Sequence, residues 1–225
     1  MDGYLLVDKP DGISSFGVVG RIRWIIKEAT GQKIKVGHTG TLDPMANGLL
    51  IIVVGKYTKK AAEFSKMDKV YRAELTLGAI STTGDREGEL APKSVHRPSS
   101  TQVEKALNTF TGEIMQTPPS YSAIKIGGQR AYKLARAGKE VKLEPRKAQV
   151  HSLKIISYNY PNLNLITEVS SGTYIRSLAE DIGNTLGTGA YLSALRRTKV
   201  GRYDVSEALE LDAADYDLLL RNLKS

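Results

Sequence analysis

An aspartate stands in the middle of a glycine-rich loop early in the chain. Asp43 lies in the segment GHTGTLDPMANG (37–48), which runs directly into the strongly apolar LLIIVV (49–54). A residue before proline is biased towards an extended backbone, and a loop fixed at one end by a buried strand can present a carboxylate rigidly. The same residues are typical of a long turn in which Asp43 bonds only to local backbone. The local pattern alone favours the turn and leaves the reactive carboxylate open.

Other residues carry groups that could assist a carboxylate. In SGTYIRSLAEDIG, Arg176 falls within about the first turn of a predicted helix, where a guanidinium can pair with a carboxylate or a phosphate. By itself this position more often indicates a surface arginine. Tyr71 lies on the apolar face of an alternating strand, which by default indicates core packing with the hydroxyl at an edge. Lys9 before Pro10, and GDREG (84–88), are by default typical of turns.

The segment from Ser122 to Lys147 is basic and contains only two acidic residues. Tyr121 and Tyr132 are interleaved with the cations. Basic side chains contact phosphates and aromatic rings stack on unpaired bases, so the pattern is typical of an RNA contact. A solvated basic face fits the segment equally well. Its cations are Lys125, Arg130, Lys133, Arg136, Lys139, Lys142, Arg146 and Lys147.

Composition narrows the class of protein. The chain has 225 residues, a formal net charge of +8 and a pI near 9.5. This charge is typical of a protein with a polyanionic partner such as RNA or DNA, and charge that serves only solubility fits it equally well. It has no cysteine, which excludes disulfides, thiolate catalysis and iron–sulfur clusters. Its three histidines are far apart in sequence, so we expect no metal site. The longest apolar runs are too short to span a membrane and the N-terminus has no signal-peptide pattern, so we expect a soluble cytoplasmic protein.

Periodicity predicts the elements that position these residues. SSFGVVGRIRWIIKEAT predicts a helix with Ser14 or Ser15 as N-cap and Gly31 as its stop. The apolar stripe predicted for this helix is Phe16, Val19, Ile22, Ile25, Ile26 and Ala29. LLIIVV predicts a buried strand. KVYRAELTLGA predicts a strand whose apolar face carries Tyr71, Ala73, Leu75 and Leu77.

The second half of the chain adds further elements. STQVEKALNTFTG predicts a short helix in which Thr101 and Glu104 form a capping box. STTGDREGEL predicts a loop, and one short helix is expected near 129–137. AQVHSLKIISYNY and LNLITEVSSG predict a hairpin, TYIRSLAEDIGNTLG a helix, and the tail a terminal helix. Strands with interspersed helices and antiparallel connections indicate an α+β fold with a mixed sheet.

Five blocks of this sequence together resemble the tRNA pseudouridine synthase B family. They are LLVDKPDGISS, KVGHTGTLDPMANGLLIIVVGKYTK, KVYRAELTLGAISTTGDREGEL, TFTGEIMQTPPSYSAIKIGGQRAYKLARAGKEV and SSGTYIRSLAEDIGNTLGTGAYLSALRRTKVGRY. The resemblance implies a mixed, mostly antiparallel central sheet flanked by helices and loops, with the active site in a cleft across the sheet. It implies a catalytic domain over 1–205, with a basic RNA-binding insertion at about 120–147. A helical tail over 206–225 is expected, without the PUA domain that many members carry.

The resemblance also implies an activity and a set of site residues. The family isomerises uridine to pseudouridine in the T loop of tRNA, at position 55, without metal or organic cofactor. By resemblance Asp43 is the essential carboxylate, Arg176 its partner and Tyr71 the ring that stacks on the flipped base. His38 would hold the rearranged bases, Leu195 would form a wall of the uracil pocket, and Lys9 and Pro10 would support the cleft. Other substrate-binding candidates in these blocks are Thr39, Gly40, Lys125, Arg130 and Tyr174.

Three functions remain open on the sequence. The first is a tRNA pseudouridine synthase that acts alone, as a monomer, on the T stem-loop. The second is a catalytic subunit guided by a separate RNA, which the expected lack of a PUA domain disfavours. The third is a tRNA-binding or tRNA-folding module whose catalysis is dispensable, which the joint presence of Asp43, Tyr71 and Arg176 disfavours.

Overall fold

The computed structural model describes residues 1–139 and 141–225. Its helices are α1 (Ser15–Thr30), α2 (Ala61–Ser65), α3 (Ser100–Asn108), α4 (Ala131–Arg136), α5 (Ile175–Thr185) and α6 (Tyr216–Asn222). Its strands are β1 (Gly3–Lys9), β2 (Val36–His38), β3 (Asn47–Val54), β4 (Lys69–Leu77), β5 (Ala79–Ser81), β6 (Leu90–Pro92), β7 (Gly112–Gln116), β8 (Lys125–Ile126), β9 (Gln129–Arg130), β10 (Arg146–Asn159), β11 (Asn162–Val169), β12 (Ala190–Val200), β13 (Tyr203–Asp204) and β14 (Leu209–Glu210). Short 3-10 segments cover Gly55–Lys60 and Val205–Glu207.

The described chain divides into two units. The first consists of Met1–Arg72 and Leu195–Ser225, and the second of Ala73–Ala194. Strands β4 and β12 each contain the point at which the chain passes from one unit to the other.

Strand β3 is the centre of the sheet in the first unit. It pairs antiparallel with β1 and β2, and parallel with β12. The short β14 adds to β1 in parallel, so the tail is not purely helical as predicted but places a strand on the sheet before α6 begins. The paired strands are mostly antiparallel with a few parallel neighbours, which confirms the predicted mixed sheet and α+β class.

The unbroken apolar run of β3 follows from burial on both of its faces. Leu50, Ile52 and Val54 pack with the buried face of α1. The alternate residues, Leu49, Ile51 and Val53, pack with Tyr4, Phe64 and Tyr203 on the opposite side. Because successive side chains of a strand point to opposite faces, a strand covered on both faces must be apolar at every position. The predicted buried strand is confirmed.

Helix α1 has the predicted ends but a narrower buried face. The Ser14 side chain accepts a hydrogen bond from the Gly17 N–H, and Gly31 ends the helix at φ 68°. The predicted stripe is wrong at Phe16 and Ala29, which are exposed. At 100° per residue Phe16 points about 120° away from the centre of the buried face, and Ala29 lies in the last turn. The buried apolar side chains are Val18, Val19, Ile22, Ile25 and Ile26.

The second unit contains an antiparallel sheet in which β10 lies between β7 and β11, with β4 on the other side of β11. Tyr71, Ala73, Leu75 and Leu77 of β4 are buried, as the alternation predicts. The segment STTGDREGEL (81–90), predicted as a loop, connects β5 to β6, and these two short strands pair as an antiparallel hairpin. Helix α5 is confirmed, and α4 is the short helix expected near 129–137.

Helix α3 begins earlier than predicted. Its capping box is formed by Ser99 and Gln102, not by Thr101 and Glu104. Both pairs have the required spacing, and the earlier pair lengthens the helix while Val103, Ala106 and Leu107 remain its buried face.

No helix in the described part of the chain combines the length and apolar character that crossing a membrane requires.

Candidate active site

The loop that carries Asp43 is tied to the first unit immediately before the aspartate. Leu42 is buried, and the buried Ser15 hydroxyl accepts a hydrogen bond from the Leu42 N–H at 2.8 Å and donates one to the Leu42 carbonyl at 2.9 Å. Asp43 itself is partly exposed, and its carbonyl accepts a bond from the Ala46 N–H at 3.1 Å. A single side chain therefore satisfies both backbone groups of the residue next to the candidate carboxylate.

The loop is tied again immediately after the aspartate. Lys9, at the end of β1, is fully buried, and its ammonium donates to the carbonyl oxygens of Pro10 at 2.8 Å, Ile13 at 2.5 Å and Pro44 at 3.2 Å. The Gly12 N–H also donates to the Pro44 carbonyl, at 2.9 Å. Lys9 is thus bonded to the loop of Asp43, and the default interpretation of Lys9 as an ordinary turn residue is wrong. The supporting role at the cleft that the family resemblance implies for Lys9 and Pro10 stays a prediction.

Arg197 joins the two ends of the loop. This buried residue of β12 donates from Nε to the Leu49 carbonyl at 2.7 Å and from Nη2 to the Gly40 carbonyl at 3.0 Å. Gly48 makes this approach possible, because at its φ of 102° a Cβ would lie 2.3 Å from the Arg197 carbonyl oxygen. Thr39 adds a further tie, donating from both N–H and Oγ1 to the Ile51 carbonyl.

His38 ends β2 directly before this loop. Burial lowers the pKa of its imidazole, and the neighbouring positive charge of Arg197 lowers it further. Its Nδ1 atom is buried and has no hydrogen-bond partner among the described residues. The structure therefore favours a neutral imidazole.

Tyr71 and Leu195 also belong to the first unit. Both are buried, Tyr71 on β4 and Leu195 on β12. Arg197 lies two residues further along β12, so its side chain is on the same buried face of the strand as Leu195. From this face Arg197 makes its bonds to Gly40 and Leu49.

In the second unit, Arg176 is buried and held by its own guanidinium. It donates to the carbonyl oxygens of Thr83 at 3.1 Å and Tyr121 at 2.8 Å, and its Nη1 lies 3.6 Å from the Asp85 carboxylate. That carboxylate, also buried, accepts bonds from the Thr83 hydroxyl at 2.6 Å and the Glu87 N–H at 3.0 Å. The interpretation of Arg176 as a surface arginine is wrong, and GDREG is more than a turn.

The start of α5 is fixed by the end of β7. The buried Gln116 amide donates to the Tyr174 carbonyl at 2.9 Å and accepts from the Tyr174 N–H at 2.7 Å. The Ser177 hydroxyl donates to the Thr117 carbonyl at 2.8 Å. These bonds position the residues on both sides of Arg176. The orientation of the Arg176 side chain is therefore set by the first turn of α5 as well as by the contacts of its guanidinium.

The basic segment follows directly after Tyr121, the residue whose carbonyl contacts Arg176. The Tyr121 carbonyl accepts from Arg176, and the Tyr132 N–H donates to the carbonyl of Ser122 at 3.0 Å. Lys125 and Arg130 lie farther out on the exposed β8–β9 hairpin. Nothing in their sequence context separates these two cations from the others of the segment, and their substrate-binding role stays a prediction.

Four positioning residues were not predicted: Ser15, Asp85, Gln116 and Arg197. Arg197 had a detectable signal, because it is a charged residue on the same strand face as Leu195. Ser15 was considered only as a helix cap. Asp85 contacts Arg176, which lies 91 residues later in the chain, and Gln116 contacts Tyr174, which lies 58 residues later. No local sequence pattern reveals pairs that are so far apart.

The comparisons with known proteins place this chain among the pseudouridylate synthases. A model described as the TruB family pseudouridylate synthase N-terminal domain matches residues 27–175, and one described as the tRNA pseudouridylate synthase B C-terminal domain matches residues 176–218. The chain belongs to the TruB family.

Curated relatives and solved structures agree with this family. The tRNA pseudouridine synthase B of Aquifex aeolicus is 46% identical over 94% of this chain and 73% of its own length. That of Endomicrobium trichonymphae is 42% identical over 96% and 93%. Among solved structures, a Cbf5–Nop10–Gar1 complex has a chain that is 27% identical, with a TM-score of 0.72 over 97% of this chain. This chain spans about half the length of that larger protein, 55%.

Proposed function

We propose that this protein isomerises uridine to pseudouridine at position 55 in the T loop of tRNA, acting as a cytoplasmic monomer without a guide RNA. Membership of the TruB family and the names of its relatives support the reaction and the substrate. The observation that carries the assignment of the site is the loop of Asp43, which is tied to buried side chains on both sides of the aspartate. A fixed carboxylate at the surface of a rigid support is what a catalytic group requires.

The proposed reaction breaks the C1′–N1 glycosidic bond and forms a C1′–C5 bond. A proton leaves C5 and N1 gains one, so the product is an isomer and no oxidant, reductant or second substrate is needed. A carboxylate can serve this reaction at sugar C1′, at base C6, or as the base that removes the C2′ proton. Each route requires Asp43 to be ionised and fixed, and the bonds to Leu42 and Pro44 meet the second requirement.

Arg176 and Tyr71 are the proposed companions of Asp43. A buried guanidinium whose direction is fixed is suited to keep an anion charged and oriented. We assign to Tyr71 the stacking of its ring on the extruded base, since a base inside a helix cannot expose its reacting atoms. A neutral His38 meets rearranged bases through hydrogen bonds without adding charge.

The remaining predicted residues are proposed to bind the T stem-loop. Thr39, Gly40, Pro10 and Leu195 would shape the pocket beside the catalytic loop. Lys125, Arg130 and Tyr174 would contact the RNA from the second unit, where the cations of the basic segment can meet phosphates.

Release of tritium from a tRNA transcript labelled at uridine C5 tests the proposal. Wild type should release tritium with no RNA added besides the substrate, and Asp43→Asn should lower the rate by roughly a thousandfold or more. Asp212→Asn, which neutralises an exposed aspartate of the same unit, is the matched control and should retain full activity. Tritium release that depends on an added guide RNA would contradict the stand-alone function. Equal rates for Asp43→Asn and wild type would contradict the role of Asp43.

A further inference from the structure

Helix α1 exposes two aromatic side chains that the proposed site does not use. Phe16 is 67% exposed and Trp24 60% exposed, whereas the apolar face of the same helix is buried against the sheet. Large aromatic surface left in water is unfavourable, so a pair of such rings on one helix indicates a contact with something absent from the chain itself.

The two rings lie on one side of the helix with a gap between them. Phe16, Gly20 and Trp24 are spaced four residues apart, which places them about 40° and 6 Å from one another in turn. A side chain built on Gly20 would meet nothing within 4 Å. Bare backbone between two rings leaves room for a flat group, such as a nucleobase, to reach either ring.

A basic pocket lies next to one of these rings, that of Phe16. It has a volume of about 480 Å³, and its lining includes Arg23, Lys33, Lys35, Gly37 and Thr58. The Arg23 guanidinium lies 5.7 Å from the centre of the Phe16 ring and donates to the Val36 carbonyl at 2.5 Å, so one side chain connects the aromatic face to the pocket. Within residues 1–139 and 141–225, Arg23, Lys33 and Lys35 form no ion pair with an acid.

We propose that this pocket binds a backbone phosphate of the substrate RNA and that Phe16 and Trp24 stack on unpaired bases next to that phosphate. Cations without acidic partners, beside exposed rings, match the two parts of a nucleotide. An apolar protein partner fits less well, because it would bury these cations without an anion. The proposal rests on the proposed function, since it takes the substrate to be RNA.

The pocket is close in sequence to the catalytic loop. Gly37 lines it, and His38 follows in the same strand, β2. A phosphate bound there would therefore belong to RNA that continues beyond the reacting nucleotide. The pocket would contribute to affinity and leave the chemical step to the residues of the loop.

The charge of the pocket is tested by the double variant Lys33→Gln/Lys35→Gln. It should weaken binding of a tRNA transcript roughly tenfold and leave the single-turnover rate at saturating protein unchanged. The control Lys66→Gln/Lys154→Gln removes the same charge from exposed positions outside the pocket, and should change the dissociation constant less than twofold. Equal affinity of the two double variants for the transcript would contradict the proposal that this pocket binds a phosphate of the RNA.

The aromatic contact is tested by intrinsic fluorescence, because Trp24 is the only tryptophan in the chain. Adding the transcript to wild type, with correction for RNA absorbance, should quench its emission along the same curve as binding. Unchanged emission at saturating tRNA would overturn the stacking. Wild type that neither binds nor modifies tRNA would contradict the proposed function itself. If wild type modifies tRNA normally, but the pocket variant binds as the control does or the emission of Trp24 does not change, only the proposal for this pocket and these rings is contradicted. The proposed function would stand.

Discussion

Buried cations of the first unit bond to carbonyl oxygens, whereas the buried Arg176 of the second unit lies beside a carboxylate as well. Lys9 and Arg197 donate to backbone carbonyls at or next to the catalytic loop. Arg176 donates to two carbonyls and is 3.6 Å from Asp85. The first arrangement fixes the backbone on both sides of Asp43, the proposed catalytic carboxylate, and the second fixes the side chain of Arg176, its proposed partner.

The difference determines what a substitution leaves behind. Removal of a cation from the first unit takes one donor away from each carbonyl oxygen that it contacts, and each of these is a neutral group with a moderate desolvation cost. Removal of Arg176 leaves the buried charge of Asp85 without its cation, which is far more costly. Substitution of Arg176 should therefore lower the free energy of unfolding more than substitution of a buried cation of the first unit. A second substitution at Asp85 should restore part of this loss.

The largest effect is expected for Arg176→Met. It should lower the free energy of unfolding by about 3–5 kcal/mol, because the Asp85 carboxylate is then buried and uncompensated. Addition of Asp85→Asn should restore part of the loss, since the remaining side chain is neutral. Urea denaturation of the two single variants and the double variant measures the coupling. Strictly additive losses would contradict an electrostatic coupling between Arg176 and Asp85.

Lys9→Met should have the next largest effect. The apolar replacement leaves the carbonyl oxygens of Pro10, Ile13 and Pro44 short of a donor, which should lower the free energy of unfolding by about 2–3 kcal/mol. The rate of tritium release should fall as well, because Pro44 adjoins Asp43. Lys66→Met, at an exposed lysine of the same unit, should change stability by no more than about 0.5 kcal/mol. A similar result for both variants would show that the burial of Lys9 contributes nothing to the loop.

Alanine substitutions of two neighbouring serines distinguish the effect of the Asp43 loop from the effect of the start of α1. Ser14→Ala removes the N-cap of α1 and should cost about 1 kcal/mol with kcat unchanged. Ser15→Ala leaves both backbone groups of Leu42 without their partner, and should cost about 2 kcal/mol and lower kcat about tenfold. Thermal unfolding and single-turnover tritium release measure the two quantities. If kcat falls equally in both variants, the Ser15 hydroxyl does not position Asp43.

The smallest effect is a dependence of stability on pH that Lys69 should produce. The pKa of Lys69 is lowered to about 8, mainly by burial and also by the charge of Arg197, while the charge of Asp68 opposes the change. Between about pH 8 and the ordinary lysine value of 10.5, the unfolded chain binds more protons than the folded protein, so the free energy of unfolding rises with pH.

From pH 7.5 to 9.5 this rise should be about 1–2 kcal/mol in wild type and absent from Lys69→Met. Urea denaturation at a series of pH values gives the two slopes. Parallel slopes would show that Lys69 keeps an ordinary pKa in the folded protein.

Local rules predicted the elements better than the contacts between them. The ends of α1 at Ser14 and Gly31, the burial of β3 and the alternation of β4 all depend on neighbours within a few residues. The capping box of α3 was misplaced because two overlapping pairs satisfy the same rule, and the longer helix decides between them. Phe16 was assigned to the core because apolar character alone does not tell a buried ring from an exposed one.

The site could be predicted only in part. Family motifs pointed to Asp43, Tyr71 and Arg176, but not to the groups that hold them. Ser15 and Leu42 are 27 residues apart, and Gly40 and Arg197 are 157 apart. Pairings of this kind arise when the sheet brings distant segments together, and a single sequence carries no periodic signal for them.

The ties of the catalytic loop have a practical consequence for how the enzyme can be studied. They are short-range hydrogen bonds from buried side chains, and dissolved ions do not screen such contacts. Capture of a polyanion by a basic surface, in contrast, weakens steeply as salt concentration rises. Ionic strength should therefore act on association with RNA and leave the conversion of RNA already bound unchanged. A simple salt series would then separate the two steps without altering a residue.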